Sequence, residues 1–336
     1  MALDARQISE AEYCRLCDER GLPVFLSSAW LGCAAEVLGF SVYYLGFFEA
    51  DALRFALAVQ RRRLGPVVLH GAPLRGTGLP PATAPAVEAT AFPALLDALG
   101  DWCRRSGVSY FQITVPEIAA TAIPRGAVTE PIDNLEMALA TWDEVRSIAH
   151  GARSMVRRAL KNGLRAHWRS PERWRDYQSL LDETYSRQGL AANFPAPLYE
   201  GLSLLTGDRQ PRLLAITRGR RTLAMIWLFV GAGRVHYWDA AASREGKQLG
   251  AGHLAAYAAV RWARHQGFET FDWVGTSVGG RGGSRPGIGQ FKQAFGGQIV
   301  DYRIVYWRRP WLELLFRGYR AWRGWRNRPR AQRAAP

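Results

Sequence analysis

From residue 141 onward, apolar and polar positions fall into blocks that turn residues separate at regular intervals. Thr141 with Glu144 has the spacing of a capping box ahead of a helix over 141–149, and a second helix from Arg153 is stopped by Asn162-Gly163. A short strand over 164–169 precedes a helix that Ser170-Pro171 opens and that runs to Gly189, and another helix covers 197–206. Residues 212–218, 221–230 and 234–240 read as three strands joined by tight glycine-containing turns. After a Gly-rich loop, 253–266 has a helical period and stops at Gly267, followed by a strand over 270–274, a short helix over 288–295 and a last strand over 298–307.

The first half repeats that order. It shows a strand near 23–26, a helix over 28–38, strands over 41–49, 52–62 and 67–71, a Pro/Gly-rich loop over 72–85, a helix over 91–105 and a strand over 109–115. The expected fold is therefore mixed α/β in two tandem units, each a mixed, mostly antiparallel sheet flanked by helices. The expected boundaries are 1–140, a helical connection over 141–163, a second unit over 164–307 and a separate basic amphipathic tail over 308–336.

At 336 residues the chain is long for one domain and sufficient for two, each able to bury its own core. Its most apolar run, 223–233, has about half the length that a bilayer span needs. The start, MALDARQISEAEYC, has neither the basic nor the apolar region of a signal peptide, which points to the cytoplasm. Cys14 and Cys17 form the one CxxC, in a stretch that reads as helical, with no second pair and no HExxH, so neither a zinc nor a redox site is expected.

The formal net charge is +15, and residues 303–336 hold ten arginines against Glu313 alone. A second acid-free cluster comprises Arg153, Arg157, Arg158, Lys161, Arg165 and Arg169. Such patches suit phosphates on nucleic acid, nucleotide or lipid, or are simply a solvated face. In the tail, Trp311, Leu314, Leu315, Tyr319, Trp322 and Trp325 fall on one side at helical spacing with Arg317, Arg320 and Arg328 opposite. This suits either an interfacial helix on anionic lipid over 310–328 or packing against the body.

Four segments carry a resemblance. Arg153-Ser-Met-Val-Arg157-Arg158-Ala-Leu-Lys161-Asn-Gly163, Thr184-Tyr-Ser-Arg187-Gln-Gly189, Phe271-Asp272-Trp273-Val-Gly275-Thr276-Ser277 and Gly287-Ile-Gly-Gln-Phe291-Lys292-Gln-Ala-Phe295-Gly296-Gly297 are similar to the FemAB and CelD-like tandem GNAT acyltransferases. The resemblance is strong over about 150–306, weaker over 20–140 and absent from the tail. It implies two GNAT-like domains and transfer of an acyl or aminoacyl group to an amine of a cell-envelope, polysaccharide or small-molecule acceptor, which itself can bear phosphate. The donor it implies is acyl-CoA, or aminoacyl-tRNA as in the FemAB enzymes, with no metal. A non-catalytic RNA- or lipid-binding adaptor on the same fold is the alternative from another class.

Amine attack on a thioester or ester passes through an oxyanion, so a site needs a cation or donors for that oxygen and a destination for the amine proton. Lys292 is the candidate cation: the resemblance places the lysine of its Phe-Lys motif beside the reacting carbonyl, and only three lysines stand in a chain rich in arginine. Asp272, at the end of a strand, is a candidate to orient the amine or take its proton, or is a structural cap. Tyr237, Asp239, Thr276, Ser277, Phe291 and Arg187 are candidates to line the cleft. Arg153, Arg157 and Lys161 repeat at i, i+4 and i+8 on one helix face and are candidates for a phosphate. Lys247-x-x-Gly250-x-Gly252 has the spacing of the GNAT pyrophosphate loop, with lysine at the first position, and is also compatible with an ordinary hairpin-to-helix loop. The first unit is expected to bind acceptor or act as scaffold.

Overall fold

The computed structural model describes residues 2–20, 24–65, 67–73, 89–116, 123–124, 126–186, 192, 194–207, 210–275, 286–312 and 314. In chain order its elements are β1 (Asp4–Ile8), α1 (Glu10–Arg20), α2 (Ser28–Leu38), β2 (Ser41–Glu49), β3 (Ala52–Leu64), β4 (Val67–Ala72), α3 (Phe92–Arg105), β5 (Tyr110–Pro116), β6 (Val128–Ala138), α4 (His150–Lys161), β7 (Arg165–Arg169), α5 (Trp174–Ser186), α6 (Ala196–Ser203), β8 (Arg212–Arg218), β9 (Arg221–Gly231), β10 (Arg234–Ala242), α7 (Arg244–Leu249), α8 (Ala251–His265), β11 (Thr270–Asp272), α9 (Pro286–Gln293) and β12 (Gln298–Arg308).

The strands form one sheet in the order β1-β2-β3-β4-β5-β12-β6-β11-β10-β9-β8-β7. Only β4–β5 and β10–β11 are parallel, and each pair is joined through a helix, α3 or α8. A parallel pair requires such a crossover, whereas the antiparallel meanders close with tight turns. The mixed α/β architecture of two similar units is thus present, but the units share their centre. The last strand of each lies beside the parallel strand of the other: β12 pairs with β5, and β6 pairs with β11. β12 and β6 also pair with each other over nine residues.

Both faces of the sheet are covered. Along β9, Met225, Trp227 and Phe229 belong to a core under α2, α5 and α6, while Ala224, Ile226 and Leu228 belong to a second core under α4 and α8. This double burial is why 223–233 is apolar without alternation. A third core, beneath α3, holds Leu45, Val59, Leu96, Phe111 and Ile113.

Several elements differ from the sequence expectation. The segment near 23–26 is not a strand but a 3-10 turn, Val24–Leu26, closed by Ser27, whose hydroxyl donates to the Val24 carbonyl at 2.6 Å and caps α2. No helix forms over 141–149. Asp143 Oδ1 accepts the amides of Val145 and Arg146 at 2.9 and 2.7 Å, an Asx-type turn that satisfies the amides a capping box would have used. The helix expected at Arg153 begins three residues earlier, at His150. β1 and β6 were not visible in the pattern. β6 carries Pro131, which normally argues against a strand, but β11 pairs only with Glu136 to Ala138, so the proline sits where one side of β6 has no strand partner among the described residues.

The segment read as a Gly-rich loop is two helices. Ser243 caps α7 by accepting the Gly246 amide at 3.0 Å, and Gly250, at φ 80°, is the junction with α8. A side chain at Gly250 would bring a Cβ within 2.7 Å of the Met155 carbonyl on α4.

Candidate active site

The site forms where β10 outruns its parallel neighbour. Arg234, Val235 and His236 lie opposite Thr270, Phe271 and Asp272, and there the pairing stops. From Tyr237 to Ala242 that edge of β10 has no strand partner among the described residues. The register with β9 slips at the same point: Tyr237 lies opposite Leu228 and Asp239 opposite Trp227, with Trp238 as the extra residue. In an unbroken strand, residues two apart share a face. The bulge instead leaves the Tyr237 ring against Phe271 and Trp273, while Asp239 turns toward α5 and α6.

Beyond β11 the chain bends sharply. The Trp273 amide still bonds the Leu135 carbonyl of β6, but Val274 takes φ 47° and Gly275 follows at φ 63°. Positive φ is uncommon for a β-branched residue, so this turn is strained. It aims two carbonyls at α9. Lys292 Nζ donates to the Trp273 oxygen at 2.5 Å and to the Val274 oxygen at 2.6 Å. The lysine is only 7% exposed, and its ammonium lies 5.9 Å from the centre of the Tyr237 ring. Burial pushes the Lys292 pKa down to about 8, against the pull of Asp272 and Asp239, which favour the charged form.

Asp272 is fully buried. One oxygen receives the Asn134 amide at 2.9 Å and the Val274 N–H at 2.8 Å; the other lies 3.0 Å from His236 Nδ1. Burial alone would raise its pKa, but the His236 contact, the Val274 amide and Asn134 outweigh burial and hold it below the usual carboxylate range. Asp239 shows the opposite balance. Its Oδ2 accepts the Tyr199 hydroxyl at 2.5 Å and its Oδ1 accepts the Ala240 amide at 3.0 Å. Burial nevertheless raises its pKa in spite of Tyr199, Tyr177 and Lys292. Two carboxylates on one ammonium are therefore tuned in opposite directions.

The structure brings Lys292, Asp272, Tyr237 and Asp239 together. Phe291 lies next to Lys292 and packs against His253 and Phe295, at 5.1 and 5.5 Å between ring centres. Thr276, Ser277 and Arg187 fall outside the described residues. On α4, Arg153 is already employed: its guanidinium donates to the Val145 carbonyl and, at 2.6 Å, to that of Ile148, tying down the preceding turn. Arg157 and Lys161 are exposed on the same helix. Lys247 is exposed on α7, Gly250 is the buried helix junction, and Gly252 lies in the first turn of α8 with open space beside its Cα.

Four participants were not found from the sequence: His236, Asn134, Tyr177 and Tyr199. Asn134 sits on the unpredicted β6, the two tyrosines read as core positions of amphipathic helices, and His236 carried no spacing signal. Among the described residues no group of His, Cys, Asp and Glu is arranged to hold a metal ion.

Chemically, the arrangement offers a desolvated cation with capacity to spare. An ammonium carries three N–H groups, and two of those on Lys292 are directed at backbone carbonyls. The third has no acceptor among the described residues, and an oxygen that becomes negative beside it would be met in a low dielectric, which strengthens the attraction. Asp239 supplies a carboxylate disposed to take up a proton.

Residues 149–292, from the threshold of α4 to Lys292 itself, match the Acetyltransferase (GNAT) domain family. Among solved structures the chain is similar to FemX, with a TM-score of 0.66 at 13% identity, covering 89% of this chain and 96% of that one. It is also similar to L-PGS from Bacillus licheniformis, with a TM-score of 0.60 at 14% identity and coverage of 90% and 91%. A tandem GNAT protein from the clavulanic acid biosynthesis pathway gives 0.50 at 13% identity, covering 90% and 97%. At such identities the likeness is one of fold. No curated protein matches the chain. Among the described residues no helix is long and apolar enough to cross a membrane.

Proposed function

We propose, for a chain whose residues 149–292 match the GNAT acetyltransferase domain family and whose fold is similar to that of FemX, that it transfers an acyl group from acyl-CoA to the amine of a cell-envelope, polysaccharide or small-molecule acceptor. The observation that carries this reading is the Lys292 ammonium, buried where β10 runs past β11, with acceptors for only two of its three N–H groups among the described residues.

In this scheme the thioester carbonyl lies against the third N–H of Lys292, and the neutral amine attacks its carbon. The C–N bond forms as the carbonyl π pair moves to oxygen. Lys292 stabilises that oxyanion and Asp239 takes the proton that the nitrogen must lose. Collapse of the tetrahedral intermediate breaks the C–S bond, and the thiolate leaves to be protonated. Asp272 does not exchange protons here; it anchors the turn under Lys292. The edge of β10 beyond His236, which has no strand partner among the described residues, offers backbone groups to an extended donor chain in this scheme. In this scheme the first-turn amides of α8 and the Lys247 side chain receive the CoA phosphates.

The test is calorimetric binding of acetyl-CoA and longer acyl-CoAs to the intact protein and to Lys292→Met, with acyl transfer to an amine panel. Binding by both proteins and turnover by the first alone support the reading. Absence of acyl-CoA binding by the intact protein at millimolar concentration contradicts the donor.

A second reading changes the donor to aminoacyl-tRNA, which attaches its aminoacyl group by an ester. The observation in its favour is the run of exposed basic residues along α4 and β7: Arg157, Arg158, Lys161, Arg165 and Arg169. Charged-tRNA consumption with a steep salt dependence supports it. The notion that residues 310–328 contact a membrane stays open to vesicle sedimentation of the full chain and of a chain ending at residue 309. Most of that segment lies outside the described residues, although Trp311 and Leu314 at its start are exposed.

A further inference from the structure

One buried imidazole lies outside that chemistry. His236 closes the last β10–β11 pair directly opposite Asp272, with no exposed surface. Its Nδ1 is 3.0 Å from Asp272 Oδ2, and a carboxylate partner assigns the proton to Nδ1. Nε2 is buried with no hydrogen-bond partner among the described residues, and the ring stands at a steep angle to Phe25, 5.0 Å and 79°.

An aspartate-held histidine with a bare Nε2 is the arrangement of a general base when that nitrogen opens onto substrate. Here the whole ring is buried, against Phe25 of the core under α2, α5 and α6. Proton transfer to a reacting group is therefore not its role, and what His236 does reach is Asp272. The other oxygen of Asp272 receives the Val274 amide at 2.8 Å, and Val274 is the residue held at φ 47° whose carbonyl accepts from Lys292 at 2.6 Å. A strained turn relaxes unless its surroundings hold it. The contacts run without interruption from His236 through Asp272 and Val274 to the ammonium.

We infer that His236 is a positioning residue for acyl transfer, acting through Asp272 and the Val274 turn to hold the Lys292 ammonium in the β10–β11 gap. This rests on the role proposed for Lys292. The groups facing that ammonium are Asp272 from the end of β11, Asp239 and the Tyr237 ring from β10, and, against the adjacent Phe291, His253 from α8.

The chain has three lysines, so Lys292 can be followed alone in the intact protein. Lysine labelled with 13C at Cε gives few resonances, and the one missing from Lys292→Met belongs to Lys292. Its titration midpoint is expected at about 8. His236→Leu removes the Nδ1 donor; the Val274 carbonyl then withdraws and the charged form loses an acceptor, so the midpoint should fall by about one unit or more. His236→Asn, whose Nδ2 takes the place of Nδ1, should restore it to within about 0.3 units.

A His236→Leu protein with an unchanged midpoint overturns the inference, and so does a His236→Asn protein displaced as far as His236→Leu, which would mark a packing role only. If His236→Leu does not fold, the His236 15Nδ1 resonance of the unsubstituted protein serves instead. Movement with the Lys292 midpoint supports the coupling, and a flat trace across that range overturns it. Failure of the underlying reading looks different: Lys292→Met would keep acyl-CoA turnover while the His236–Lys292 coupling remained measurable.

Discussion

The two parallel crossovers of the sheet are built alike, and among the described residues the second alone pairs a buried carboxylate with a buried ammonium. In the first half, β4 and β5 pair from Leu69–Tyr110 to Ala72–Ile113, β5 runs on to Pro116, and β12 covers its other edge along the whole length. The third residue of β5 is Gln112, 2% exposed, donating to the Pro73 carbonyl at 2.7 Å and accepting the Tyr110 hydroxyl at 2.8 Å. In the second half, β11 is three residues long and its third residue is Asp272. There a neutral, locally satisfied amide gives way to a carboxylate tied to His236, Asn134 and the Val274 turn, and a buried lysine closes over that turn. On the proposed reading the first crossover is scaffold, and the second, where β11 stops short beside ionised groups, carries the chemistry.

The comparison breaks most visibly at Lys292. Lys292→Met should lower kcat by about 100-fold to 1,000-fold, the range for losing one oxyanion donor, with KM for acyl-CoA little changed. The fold should survive. A lowered ammonium pKa means that burying the charge is unfavourable by ~3 kcal/mol, and removing the charge relieves this while leaving two carbonyls without a partner at ~1–2 kcal/mol. Urea melts should therefore show Lys292→Met at least as stable as the parent near pH 7. The folded pKa of about 8 lies below the ordinary 10.5, so the unfolded chain binds the extra proton between these values. The parent accordingly gains on the variant as pH rises through that window. A variant less stable by more than about 2 kcal/mol at pH 7 would identify Lys292 as a structural residue.

Asp239→Asn tests the proton acceptor. Its amide oxygen can still accept the Tyr199 hydroxyl, so the main loss should be in kcat, about 100-fold, without loss of acyl-CoA affinity. The pH profile follows from the same pair. Activity should fall about tenfold per unit above pH 8 as Lys292 loses its proton, and on the acid side it should fall at a pH above the ordinary aspartate value of 3.8, because Asp239 must be ionised. Asp239→Asn should abolish the acid limb and leave the alkaline limb. An alkaline limb that persists in Lys292→Met would assign it elsewhere.

Gln112→Leu is the matching change in the first half. It removes the donor to the Pro73 carbonyl and one acceptor of the Tyr110 hydroxyl, so it should lower stability by about 1–3 kcal/mol in a urea melt while kcat per folded molecule stays within twofold. The smallest effect is expected on the rim. Arg157→Ala with Lys161→Ala should change acyl-CoA turnover by less than about threefold, since both side chains are exposed on α4. A loss much larger than that, shrinking as salt is raised, would favour the tRNA donor.

Much of the fold was legible because local signals agree with it. Ser28–Leu38, Ser41–Glu49 and Arg212–Arg218 occur where the pattern of apolar positions, turns and caps puts them. The central exchange was not legible, because β6 is polar, carries Pro131 and is a strand only by virtue of β12 and β11. Of the site, Lys292 and Asp272 stood out through a motif. What sets their environment did not, since it consists of partners distant in sequence, such as Asn134 and His236, and of a bulge at Trp238 that turns Asp239 to the other face.

The account rests on contact between Lys292 and the acyl carbonyl, and the most direct measurement is a crystal structure with a non-reactive ketone analogue of acyl-CoA. The predicted result is the ketone oxygen about 2.7–3.1 Å from Lys292 Nζ, with the chain of the analogue along the free edge of β10. The account is contradicted if the oxygen lies away from that ammonium, or if the analogue occupies the first-half cleft lined by Tyr43, His70 and Trp102.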